Sequence, residues 1–136
     1  MGKRSRVCVL WFRIRRIFGA IMKSLKSIPL QKNDCLAIET AVATIKKEFP
    51  IETVILFGSK SRGGGDVHSD TDLLLVTKRP LHWREEKAVI KSLFDIGMAF
   101  DVIFSPLFAS HDEWEDGVFQ NFPVYADIMR DGALVS

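Results

Sequence analysis

Gly58-Ser59 and, ten residues further on, Asp70 and Asp72 are the residues of this chain whose types and spacing could do chemistry together. An apolar run, Thr53-Val54-Ile55-Leu56-Phe57, leads into the first pair, and a second, Leu73-Leu74-Leu75-Val76, follows the last. A glycine at a strand end lets the backbone come close to a phosphate. The amides of the turn behind it can donate to phosphate oxygens, and the Ser59 hydroxyl adds a donor. Arg62, one turn on, can support the phosphates. Strand side chains alternate, so Asp70 and Asp72 project to one side, roughly 7 Å apart, with Thr71 opposite. Two anions held that close call for a cation between them, which points to Mg2+. Asp101 interrupts another apolar run, Phe100-Asp101-Val102-Ile103-Phe104. Read as a strand beside Asp70–Val76, that run brings a third carboxylate to the metal, one that could take a proton from an attacking hydroxyl.

The elements that must position these residues follow from pattern. Asn33 or Asp34 caps a helix with Leu36, Ala37, Thr40, Ala41, Thr44 and Ile45 on its inner face, ended by Phe49-Pro50. Thr53–Phe57 is a strand. Gly58–Ser69 holds a turn, a brief helix and the Gly63-Gly64-Gly65 loop, and Asp70–Thr77 is the second strand. A helix from about Trp83 to Gly97 precedes the third strand, which Ser105-Pro106 ends. The tail from Trp114 to Ala133 is partly helical, interrupted at Pro123 and ended at Gly132. Strands alternating with helices give an α/β (α+β) class, with a small mixed sheet of three to four strands flanked by helices.

Composition bounds the rest. At 136 residues and 47% hydrophobic, the chain is one domain with a core. Its net charge of +2 conceals an asymmetry: residues 1–26 hold eight Lys or Arg and no acid, so the remainder carries −6. An acidic body disfavours general nucleic-acid binding. Two unpatterned cysteines, Cys8 and Cys35, fit a reducing, cytoplasmic setting. His68, His82 and His111 lack ligand spacing, and Trp83, Trp114, Phe119 and Phe122 suit core or partner surface better than a base-stacking platform.

Residues 1–28 read as a basic amphipathic extension, and residues 29–136 as the folded body. Val7, Leu10, Trp11, Ile14, Ile17, Phe18, Ile21, Leu25 and Ile28 recur at helical steps among basic residues. Such a helix could contact a membrane surface or a partner, or pack on the chain's own core. Alternatively Met22 is the start, since Met22-Lys23-Ser24-Leu25-Lys26 resembles an ordinary bacterial beginning. No apolar run here is long enough to span a bilayer.

The Gly58-Ser59, ten-residue, Asp70-x-Asp72 signature, with Arg62-Gly63, Asp101 in a Phe-Asp-Val-Ile context, Ile128 and Arg130-Asp131-Gly132, resembles the DNA polymerase β-like nucleotidyltransferases. Within them it is most similar to the minimal nucleotidyltransferases, over about residues 34 to 133. The resemblance implies that fold, with Asp70, Asp72 and Asp101 binding two Mg2+ ions, and Gly58, Ser59 and Arg62 holding the triphosphate of ATP. It implies attack of a hydroxyl on the α-phosphorus, transferring AMP. Little chain remains after Asp101 to shape an acceptor pocket. The resemblance then points to a protein substrate, a tyrosine of a small HEPN-type toxin, silenced by an antitoxin of this kind. The alternatives are transfer to a small molecule such as an aminoglycoside, or toxin binding without catalysis.

Overall fold

The computed structural model describes residues 22–63 and 69–136. Strand β1 (Lys23–Ser24) and a 3-10 turn (Leu25–Ser27) precede helix α1 (Lys32–Glu48) and strand β2 (Ile51–Phe57). A second 3-10 turn (Ser59–Arg62) leads toward β3 (Thr71–Thr77), followed by α2 (Trp83–Phe100) and β4 (Phe104–Ser110). Helix α3 (His111–Glu115), a third 3-10 turn (Phe119–Asn121), α4 (Pro123–Asp131) and β5 (Ala133–Leu134) complete the chain.

The sheet is mixed, with the order β1-β5-β2-β3-β4. β2 and β3 are antiparallel with Phe57 opposite Asp72, and β3 and β4 are parallel with Asp72 opposite Ser105. Both central strands are apolar on both faces because both faces are covered. On one side α1 brings Ile38, Ala41, Val42 and Ile45, and α2 brings Val89 and Leu93, against Val54, Leu56, Leu73 and Leu75. On the other, Trp114, Phe119 and Ile128 pack on Ile55, Leu74 and Val76. The result is helix–sheet–helix layering, with the strand ends left to carry the polar groups.

Several sequence expectations move. Among the described residues the sheet has five strands rather than three to four; β1 and β5 are two residues each, too short to leave a periodic signal. Helix α1 buries Asp34, Ala37, Ile38, Ala41, Val42 and Ile45, so its inner stripe is turned relative to the expected one, and Leu36 is exposed. The third strand is not Phe100–Phe104. Helix α2 runs on to Phe100, and β4 contains Pro106 rather than ending before it. Proline is tolerated there because β4 is the edge of the sheet. Pro123 does not interrupt a helix; it occupies the first turn of α4, where its missing N–H costs nothing. In the expected amino-terminal extension, residues 1–21 lie outside the described residues. The part from Met22 on is strand and 3-10 turn, with Met22, Leu25 and Ile28 buried in the two cores.

Candidate functional site

The end of β2 meets the start of β3 at Gly58. Gly58 has φ 78 and ψ −160, a conformation that side-chain-bearing residues rarely adopt. A Cβ on Gly58 would also collide with Oδ2 of Asp72. The glycine therefore does two jobs: it makes the sharp turn and leaves room for a carboxylate against the backbone. Asp70 lies just ahead of β3 and is exposed; Asp72 is half-buried. Burial, followed by the negative charge of Asp70, pushes the Asp72 carboxyl above the usual carboxylate range. Two like charges share this end of the strand, and a cation held between them would relieve their mutual cost.

The turn after Gly58 is pinned from several directions. The Ser61 backbone N–H and hydroxyl both donate to the Gly58 carbonyl, at 3.1 and 2.7 Å. Lys23 donates to the Ser61 carbonyl at 2.6 Å. Lys60, 5% exposed, is turned toward α1. Its ammonium donates to Asp34 of α1 at 2.8 Å, with Asp34 itself 8% exposed. Arg62 is half-exposed and reaches Asp131 of α4 at 3.4 Å. Ser59, half-buried, is the hydroxyl of this turn nearest the mouth between Gly58 and Asp72 by chain position.

The carboxylate expected from the third strand is placed differently. Asp101 is the carboxy-terminal cap of α2, exposed, with φ 57 and ψ 47. Its N–H and that of Val102 both donate to the Gly97 carbonyl. Gly97 permits this tight reversal because a Cβ there would meet the Val102 carbonyl. The Phe-x-Val-x-Phe alternation thus straddles a helix end, and the ladder with β3 begins only where Thr71 donates to the Ile103 carbonyl at 2.7 Å. Among the described residues no group of three or more His, Cys, Asp or Glu is placed to hold a metal. Asp70 and Asp72 are brought together; Asp101 is not joined to them. A donor set of two carboxylates still suits Mg2+, which takes one or two carboxylates together with substrate phosphates.

Gly64, Gly65 and His68 lie outside the described residues. His82 instead caps α2, its Nδ1 accepting from the Arg84 N–H at 3.2 Å, and His111 pairs with Glu52 at 3.1 Å. Trp114 and Phe119 are core, while Trp83 and Phe122 are exposed. Sequence reasoning missed Lys23, Lys60, Asp34 and Asp131. One signal was available: Asp34 falls in phase with Ala37, Ile38 and Ala41 on the buried stripe, and a buried charge requires a partner. No described helix is long and apolar enough to cross a membrane.

Comparison with known proteins follows the same residues. A family model described as "nucleotidyltransferase domain" matches residues 38–108, a span that includes Gly58, Ser59, Asp70, Asp72 and Asp101. A protein of Methanocaldococcus jannaschii, named by inference a protein adenylyltransferase, is 35% identical over 66 residues; these are 48% of this chain and 66% of that protein, just under two thirds of its length. A crystal structure from Sulfolobus solfataricus, described by inference as a nucleotidyltransferase, superposes with a TM-score of 0.50 at 17% identity, covering 79% of this chain and 90% of that one. At that identity the likeness speaks to fold alone, and it agrees with the α/β architecture above.

Proposed function

Since this chain belongs to the nucleotidyltransferase domain family, we propose that it transfers AMP from ATP to a hydroxyl group on a protein. The observation that carries the reading is the Asp72 carboxylate seated against the bare backbone of Gly58, beside Asp70 and at the mouth of the Ser59–Arg62 turn. The turn assigned to the triphosphate in this reading and the carboxylate pair are neighbours across one strand pair. The name of the M. jannaschii relative, which speaks of protein adenylyl transfer, supports the class of acceptor.

In this reading Asp70 and Asp72 hold Mg2+, which when bound neutralises the triphosphate and polarises the phosphorus under attack. The chain's own groups do the rest. Ser59 and the amides at the start of the turn donate to phosphate oxygens. Gly58 admits the phosphate chain to within contact of the backbone. Arg62 exchanges Asp131 for a phosphate oxygen, an inexpensive step because the contact is long, Arg62 is half-exposed and Asp131 keeps Arg130 as a partner. The pyrophosphate leaves as the acceptor oxygen bonds to the α-phosphorus. Asp101, which caps α2 just ahead of β4, is the candidate acceptor of the hydroxyl proton. The finer acceptor assignment is a tyrosine of a HEPN-type toxin, with this chain as its antitoxin.

The test is transfer of label from α-labelled ATP, with Mg2+, to a protein. The reading requires a labelled polypeptide whose label is lost with Asp70→Asn and Asp72→Asn. Asp101→Asn should lower kcat with nucleotide affinity kept. Labelling of an aminoglycoside and of no protein would reject the protein-acceptor reading in favour of a small-molecule one.

A further inference from the structure

The Ser59–Arg62 turn is held at both ends, and by different parts of the chain. At its start, the Ser61 N–H and hydroxyl both donate to the Gly58 carbonyl, at 3.1 and 2.7 Å. Ser61 thereby fixes the glycine against which Asp72 is seated. At its close, the Ser61 carbonyl accepts from the Lys23 ammonium at 2.6 Å, a short charge-assisted bond across 38 positions of sequence. Gly63, which ends the turn, is left-handed at φ 73 and packs against Pro29: a Cβ on it would stand 2.9 Å from the proline Cγ. Lys23 and Pro29 both belong to the segment ahead of α1, outside the residues that carry the family match.

That segment has anchors of its own. Met22 is buried in one core, and Leu25 and Ile28 in the other. The Ser27 hydroxyl donates to the Ser24 carbonyl at 2.7 Å, and the Ile28 N–H to the Leu25 carbonyl at 3.1 Å. Lys23 is in register with Ala133 of β5, and Ala133 with Leu56 of β2. One row across the sheet therefore brings Lys23 level with Leu56, just ahead of Gly58. With the backbone fixed in this way, only the Lys23 side chain is left to be ordered when its ammonium meets the turn, so less conformational entropy opposes the bond. Lys26, three positions on, is exposed and carries the same charge.

We propose that Lys23 is a positioning residue of the nucleotide site: by holding the Ser61 carbonyl it sets the orientation in which the Ser59 hydroxyl and the leading N–H groups of the turn meet the triphosphate. This rests on the nucleotide-site reading above. A 3-10 turn of four residues has poor hydrogen-bond geometry of its own, so contacts from outside decide how it sits. The contacts of Lys60 with Asp34 and of Arg62 with Asp131 hold side chains, which can swing about their own bonds. Lys23 holds the main chain. The peptide is planar, so a fixed Ser61 carbonyl also fixes the N–H of the residue after it.

The experiment titrates the full chain with a non-hydrolysable ATP analogue and Mg2+, as wild type, Lys23→Met, Lys23→Arg and Lys26→Met, and follows hydrogen exchange of the Ser61 amide in parallel. Lys23 is exposed, so the variants should fold, and thermal melting sets a temperature at which all are native. Lys23→Met should bind the analogue about three- to tenfold more weakly than wild type and lose protection at the Ser61 N–H. Lys23→Arg keeps a charged donor and should recover most of both. Lys26→Met removes the same charge from the same segment and should match wild type. Equal affinity of Lys23→Met and wild type overturns the inference while leaving the nucleotide site standing. An equal loss in Lys26→Met, which traces the effect to net charge, overturns it too, as does a loss in Lys23→Met with Ser61 protection unchanged. Failure of wild type to bind the analogue overturns both the inference and the site.

Discussion

The buried pair between Lys60 and Asp34 ties the Ser59–Arg62 turn to α1. Lys60 follows Ser59 directly, yet points into the space between the turn and α1, where its ammonium donates to the Asp34 carboxylate at 2.8 Å. Side-chain exposures of 5 and 11% mean that neither charge has much water to fall back on. Removing one partner strands the other, which costs about 3–5 kcal/mol for a pair buried this way. In a chain of this size, 1 kcal/mol corresponds to about 3–5 °C in Tm. Asp34→Ala should therefore melt roughly 10–20 °C below wild type. Replacing both partners, as in Asp34→Leu with Lys60→Met, trades a desolvated ion pair for apolar contact, and such trades are often neutral or stabilising. That double variant separates stability from positioning. It should melt near wild type but bind an ATP analogue more weakly, because the turn loses its fixed anchor to α1. Differential scanning calorimetry and equilibrium titration read the two quantities. A single variant within about 3 °C of wild type, or a double variant with full nucleotide affinity, would refute the argument.

The remaining predictions concern the other residues around the turn. Asp72→Asn should raise Tm in the absence of metal and nucleotide. The folded chain binds the Asp72 proton more tightly than the unfolded chain, so stability falls as pH rises through the window just above ordinary carboxylate values; the gain should be full at neutral pH and vanish below that window, as measured by melting across pH. Gly58→Ala forces a Cβ into a conformation costing about 1–3 kcal/mol and displaces the Asp72 carboxylate; both Tm and nucleotide binding should fall, and a variant that retains binding contradicts the close approach. Ser59→Ala should keep its Tm but weaken ATP-analogue binding by about tenfold or more, the worth of a hydrogen bond to a charged group.

Much of the placement of the candidate residues is legible from residue types alone. Gly58, Ser59, Asp70 and Asp72 come together because the pattern is local: a turn at one strand end and an alternating pair at the start of the next. β2 and β3 were equally legible as apolar runs bounded by that turn. What failed was phase and ending. Phe100, Val102 and Phe104 alternate as a strand should, but Gly97 lets α2 close on itself and Asp101 accepts a left-handed conformation, so the same residues form a helix end. One helical stripe can be drawn through Leu36, which is exposed. The neighbouring stripe through Asp34 and Ile38 won, since Asp34 finds Lys60 there. The Lys60–Asp34, Lys23–Ser61 and Arg62–Asp131 contacts join residues 26, 38 and 69 positions apart. No local pattern encodes them.

The central claim is that Gly58, Ser59, Asp70 and Asp72 form one Mg2+-dependent nucleotide site. Its most direct test is titration of wild type and the Asp70→Asn/Asp72→Asn double variant with a non-hydrolysable ATP analogue, with Mg2+ and with a chelator. The account predicts that wild type binds tightly only with Mg2+, and that the double variant loses the Mg2+-dependent part. Equal affinity in all four titrations would contradict it.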